Sequence, residues 1–329
     1  MKQTASYREQ GNGLLSSPVL PYERSYRLEE NNLLNQWKKH YELYLLLLPA
    51  LLYFAIFEYG PIYGLQIAFK NFTPFKGISG SPWVGFDHFI RFFNSYKFWD
   101  VLWNTLTISL YEMLLFPIPI ILALLINQLT SQRFKKVVQT VTYAPHFIST
   151  VVIVGMLYLF LSPNSGIINK LLAAMGFDSV FFMAKPELFS SIFVWSGVWQ
   201  NAGWGTIIYL AALTGINPEL HESAVVDGAN KFKRILHIDL PGIMPTVIVL
   251  LILNVGNFMS VGFEKVYLMQ NPLNVSSAEV IQTYVYKSGL VGAQYSYSAA
   301  IGMFNSVINC ILLLVVNFIA KRLGKTSLW

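Results

Sequence analysis

Apolar residues run along this chain in blocks of about twenty, separated by shorter polar stretches, and that alternation predicts helices that cross a bilayer. Six candidate spans fall at about 43–69, 101–128, 137–161, 189–213, 242–267 and 297–319. Between them lie turn-forming strings such as Ser162-Pro163-Asn164-Ser165-Gly166. Gly60-Pro61 predicts a kink in the first span. Pro117 and Pro119 remove backbone donors from the second and predict a bend held by neighbouring helices. The expected fold class is an all-α, polytopic integral membrane protein with six transmembrane helices. Residues 1–40 read as a polar cytosolic tail with an amphipathic segment over 28–40, and 41–329 as the transmembrane domain.

Composition agrees with the pattern. Hydrophobic residues make up 54% of the chain and charged residues 12%, with a mean hydropathy of +0.48, which excludes an ordinary soluble domain. The 15% aromatic content suits a protein anchored at two membrane–water interfaces. Cys310 is the one cysteine, so neither an internal disulfide nor a zinc-type cluster is available, and no metal site is expected. The first forty residues hold no apolar core of signal-peptide length, so no cleaved leader is expected.

The net charge of +6 has a topological reading that displaces nucleic acid as a partner. With the N-terminus inside, cytosolic segments hold fifteen Lys and Arg and the opposite side eight. Both termini are then cytosolic, as is the loop 214–241. On the opposite side, residues 70–100 are rich in aromatics. Phe86, Phe89, Ile90 and Phe93 fall on one helical face, predicting a short interfacial helix or part of a docking face.

The loop 214–241 carries its own helix signals. Asn217-Pro218-Glu219 supplies an N-cap, a proline at the first helical position and an acid in the first turn. Gly228 suits a left-handed C-terminal stop. A second helix is expected from about Asn230, with Phe232, Ile235 and Leu236 on one face, and Pro241 is expected to end the loop and to fit the first turn of the fifth span. A DNA-gripping helix-turn-helix is excluded by the two spans that tether it, leaving a solvated connection or a mechanical coupling element.

Glu222-Ser223-Ala224, Gly228, Ile238, Leu240 and Pro241 keep the spacing E-A-A-x3-G-x9-I-x-L-P, with Ser223 the one departure. This resembles the EAA loop of permease subunits in binding-protein-dependent ABC importers. The strings Tyr59-Gly60-Pro61-Ile62-Tyr63-Gly64, Trp83-Val84-Gly85-Phe86, Thr142-Tyr143-Ala144-Pro145-His146-Phe147-Ile148-Ser149 and Gly324-Lys325-Thr326-Ser327-Leu328-Trp329 are similar to a subgroup importing oligosaccharides from complex, often uronate-containing polysaccharides. The resemblance implies a type I ABC importer permease fold in a bacterial cytoplasmic membrane. It also implies a second permease subunit (a heterodimer), two ATP-binding subunits and an extracellular or periplasmic solute-binding protein. By the same resemblance Glu222 secures the ATPase contact and Gly228 forms the turn. Ala224, Asp227, Ala229, Phe232 and Pro241 belong to the same coupling element. Gly324-Lys325-Thr326 is no P-loop, because position 319, where its first glycine would stand, is Ile. The chain is expected to bind no cofactor and to be no enzyme, with ATP and Mg held by partner subunits.

Polar residues within the spans mark either interhelical contacts or the solute path. Asn254, Asn257 and Glu264 read as one stripe of the fifth span, Trp195, Trp199, Gln200, Asn201 and Trp204 lie in the fourth, and Asn305 and Asn309 in the sixth. Aromatic faces and amides suit sugar rings, which selects Trp199, Asn201, Asn254 and Asn257 as pathway candidates. An importer permease for another solute is the main alternative. An ion-coupled secondary transporter would need ionisable relays within the spans. A membrane enzyme would need an acid/base or metal cluster, and the histidines at 40, 88, 146, 221 and 237 are scattered.

Overall fold

The computed structural model describes residues 41–322 and residue 327; the 28–40 segment and most of the C-terminal string lie outside the described residues. The chain divides into two compact units, residues 1–63 and 64–329. All regular elements among the described residues are helical apart from a single bridge between Lys70 and Trp83. Among the described residues, four helical stretches are long and apolar enough to cross a bilayer: Tyr41–Phe69, Phe98–Asn127, Lys231–Gly256 and Tyr295–Arg322. A bent pair, Gln132–Phe147 with Thr150–Phe160, is a fifth candidate.

In the first unit, α1 (Tyr41–Tyr53) passes into a π-helical segment, Phe54–Tyr59, directly before Gly60-Pro61. A proline has no N–H to donate and its ring crowds the carbonyl four residues back. The wider register relieves that crowding, with the Gly60 N–H reaching the Ala55 carbonyl, so the kink expected from sequence takes the form of a π segment.

The principal helices of the second unit are α2 (Asp87–Phe93), α3 (Phe98–Leu115), α4 (Pro117–Asn127), α5 (Gln132–Tyr143), α6 (Thr150–Phe160), α7 (Pro186–Thr214), α8 (Pro218–Val226), α9 (Lys231–Arg234), α10 (Leu240–Gly256), α11 (Phe263–Met269) and α12 (Tyr295–Arg322). The run expected as the third span is built of two helices, bent by 98°. Ala144–Phe147 tightens into a 3₁₀ turn around Pro145, and Ser149 starts the next helix by accepting a hydrogen bond from the Val152 N–H. The fifth expected span also differs. Its helix stops at Gly256, and residues 257–262 separate it from α11, so Glu264 does not continue the stripe of Asn254 and Asn257.

Three apolar clusters hold this unit together. Ile108, Val154, Phe189, Phe193, Val266 and Met269 join α3, α6, α7 and α11. Phe92, Phe98, Val101, Met259, Tyr297 and Ile301 gather at α2, α3 and α12. Ile120, Leu124, Tyr209, Leu213 and Ile243 join α4, α7 and α10 at the end that carries residues 214–241.

Helix α7 is the central post, packed along α4 and against α5 and α10. Its approach to α5 depends on Gly203, where an added methyl group would overlap the Thr142 carbonyl oxygen, a backbone atom that cannot swing aside. Gly203→Ala is therefore expected to force α5 and α7 apart, at a cost of about 1–3 kcal/mol or more. A lowered unfolding temperature in detergent would register it, and an alanine variant as stable as the parent would show that the contact yields.

Candidate functional site

The first feature is the element between α7 and α10. Asn217 starts α8 as its sequence signal required, its side chain accepting from the Glu219 N–H at 3.1 Å with Pro218 next. The helix closes in a Schellman arrangement. Gly228 takes φ +77° and donates to the Val225 carbonyl at 3.0 Å, and the Ala229 N–H reaches back to Ala224 at 2.8 Å. Asp227 occupies the C-cap. Asn230 then caps α9, accepting from the Lys233 N–H at 2.8 Å.

The chain does not stop at Pro241. Helix α9 continues through a π segment, Ile235–Asp239, straight into α10, so the second helix of the loop and the following membrane helix are one rod. Pro241 stands in the first turn of α10, as expected, but no break separates the loop's second helix from that span. As at Pro61, the wider π register upstream accommodates a proline that can neither donate nor fit an α turn.

The element presents an apolar ridge: Val226 is 86% and Phe232 71% exposed, with Leu220, Val225 and Leu236 exposed beside them and Glu222 exposed on the same helix. Beneath the ridge lies Asp239, fully buried. Its Oδ2 accepts a hydrogen bond from Gln128 Nε2 at 3.0 Å, at the end of α4. Its Oδ1 lies 3.3 Å from His221 Nε2 on α8, an ion-pair approach without hydrogen-bond alignment. One carboxylate thus touches the loop helix, the π segment and the end of α4. Neither His221 nor Asp239 stood out in the sequence, because Asp239 fills the free position of Ile-x-Leu-Pro.

The second feature is a cleft along α7. Two cavities of about 460 and 400 Å³ share Glu112, Gly197 and Asn201 in their walls. Asn201, Asn254 and Asn257 all line the larger one, while Trp199, half-exposed, lines neither. Asn254 and Asn257 donate their amide N–H groups to Leu250 and Leu253 on their own helix, so the amide oxygens carry the acceptor capacity of that wall. Asn201 Oδ1 lies 3.0 Å from His146 Nδ1, and the His146 ring stacks on Trp204 with centroids 4.5 Å apart. The α5–α6 corner is thereby tied to the cleft. The smaller cavity also meets Gln200, Glu264 and Lys265, and Lys265, 9% exposed, gives one hydrogen bond to the Phe193 carbonyl at 2.8 Å.

Residues 116–325 match the family of binding-protein-dependent transport system inner membrane components. The chain belongs to this family. The permease is 44% identical over 288 residues to the protein LplB of Bacillus subtilis (strain 168), covering 87% of this chain and 91% of that one. It is 43% identical to the polygalacturonan/rhamnogalacturonan transport system permease protein YteP of the same organism, covering 87% and 90%. Among solved structures it matches a bacterial alginate ABC transporter in complex with an alginate pentasaccharide-bound periplasmic protein, at 42% identity and a TM-score of 0.84, with 91% of this chain and 100% of that chain covered. The protein is thus a multi-pass inner membrane component of a transport system, a transport subunit rather than an enzyme.

Proposed function

We propose that this permease forms half of the membrane pore of an ATP-driven importer of oligosaccharides released from a complex, uronate-containing polysaccharide. The relatives named for polygalacturonan/rhamnogalacturonan and alginate transport support the class of cargo. A second, distinct permease subunit completes the pore, two ATP-binding subunits hold ATP and Mg, and an external solute-binding protein delivers the sugar. The twofold excess of Lys and Arg in segments on the side of residues 214–241 supports cytosolic termini and a cytosolic loop.

The observation that carries the coupling is the capped helix α8 with its exposed apolar ridge, joined through a continuous rod to α10. Exposed apolar side chains flanked by charges on a stiff element suit docking into a partner's groove. Glu222, Ala224 and Phe232 make that contact, and Asp227, Gly228 and Ala229 hold the turn. The sugar passes along the cleft lined by Asn201, Asn254 and Asn257, with Trp199 offering a stacking face toward the second permease. The test is purification in detergent with the proposed partners, followed by ATPase assays with binding protein and oligosaccharides. ATP-binding subunits are expected to copurify and oligosaccharide-loaded binding protein to stimulate hydrolysis. Failure to copurify any nucleotide-binding subunit sinks the proposal.

A further inference from the structure

The cleft holds ionisable groups, and one of them, Glu112, lies midway along Phe98–Asn127, a stretch apolar enough to cross a bilayer, where charge is costly unless it has a task. Among the described residues lining its two cavities, Lys265 is the one cation, set against the carboxylates of Glu112 and Glu264. The residue is 9% exposed and lines the smaller cavity, and its ammonium lies 4.7 Å from the centroid of the Phe193 ring. An ammonium has three donors and Lys265 gives one to the Phe193 carbonyl, which leaves capacity for two more. Neither Glu112 nor Glu264 lies within ion-pair distance of it, although all three line the same cavity. Gly197 lets the ammonium sit close to α7, since an added methyl group there would come within 3.3 Å of Nζ.

We infer that Lys265 recognises the carboxylate of a uronate unit in transit, while Glu112 accepts hydrogen bonds from the sugar's hydroxyl groups. This rests on the reading of the chain as an oligosaccharide permease. A uronate presents both kinds of group on one ring, an anion and several O–H donors, and the cleft presents one cation and an acid across a shared wall. The acids set the selectivity: a carboxylate is tolerated at Lys265 and opposed elsewhere, which fixes the orientation of the ring. Gln200 and Asn201, which line the same cavity from α7, add neutral donors and acceptors for ring hydroxyls.

The test reconstitutes the full importer in liposomes and compares uptake of trigalacturonate with that of its neutral methyl ester. Substituting only the permease leaves the binding protein's own preference constant, so the ratio of the two uptakes reads the cleft. Lys265→Met is expected to lower the uronate-to-neutral ratio by about tenfold or more, the scale of one charge-assisted hydrogen bond. Lys265→Arg keeps the cation and is expected to hold the ratio within about threefold of the parent. Glu112→Gln is expected to raise the ratio, because removing an opposing charge helps only the anionic sugar. A purely structural role would lower both uptakes together and give the two charge removals no opposite sign. An unmoved ratio in Lys265→Met, or an arginine variant that loses uronate preference as far as the methionine one, overturns the inference alone. A parent importer that moves no oligosaccharide overturns the functional proposal and this inference with it.

Discussion

Gly228→Val is expected to yield a permease that inserts and assembles but whose partner hydrolyses ATP with little uptake, transport falling by about five- to thirtyfold for a loss of about 1–2 kcal/mol in the coupling geometry. The site has room: a methyl group at Gly228 meets nothing within 4 Å. The penalty is therefore in the backbone, because φ is +77° and a β-branched side chain strongly resists the left-handed region. Relaxing φ breaks the two bonds that close α8, from Gly228 to Val225 and from Ala229 to Ala224. The last turn of α8 then loses its direction relative to α9, and Glu222 and the Val225–Val226 end of the ridge leave the orientation their partner meets. Gly228→Asn is the decisive companion, since Asn tolerates this conformation and is expected to retain most coupling. Uptake and ATP hydrolysis measured in the same liposomes give the ratio. Normal coupling in the valine variant would show that the turn has no mechanical role.

What the sequence made legible follows from the bilayer. Long apolar runs are obligatory for spanning helices, so Phe98–Asn127 and Tyr295–Arg322 lie close to the blocks that predicted them. Local cap chemistry was equally readable at Asn217 and Gly228, because those signals act within a few residues. The breaks were not. Hydropathy is blind to the 98° corner at Pro145 and to the gap between α10 and α11, since the residues there stay apolar enough to extend the runs. The unbroken join at Pro241 was hidden for a different reason: a π segment upstream lets the loop's second helix run on into a span whose first turn holds the proline. The cleft was partly visible as the amides Asn201, Asn254 and Asn257, but the meeting of Glu112 with Lys265 depends on α3 and α11 sharing a wall across some 150 residues of chain, and no local pattern encodes that. An acid within an apolar run was the available signal.

Asp239→Ala should disturb coupling and stability together, because it removes a buried carboxylate that three elements share. The side chain is 0% exposed and receives Gln128 Nε2 at 3.0 Å on one oxygen, with His221 Nε2 3.3 Å from the other. Deleting it strands the Gln128 amide and leaves the His221 ring without its neighbour, and losing such a polar contact costs about 1–3 kcal/mol. The more telling consequence is mechanical. Gln128 ends α4 and His221 rides on α8, so Asp239 links α8, the proposed docking helix, to the apolar cluster of α4, α7 and α10, whose helices also wall the larger cavity. Without the link, motion of α8 can be absorbed locally instead of reaching the cleft. His221→Ala removes one arm only and is expected to show a smaller loss of uptake per ATP, with little effect on assembly. The double variant is expected to cost less than the sum of the single ones by about 0.5–3 kcal/mol, the signature of residues in one network. Unfolding temperature in detergent reads the stability term, and uptake per ATP hydrolysed reads the coupling term. Strict additivity would separate His221 from Asp239. An alanine variant with unchanged uptake per ATP would reduce Asp239 to a packing residue and leave the coupling to the rod of α9 and α10 alone.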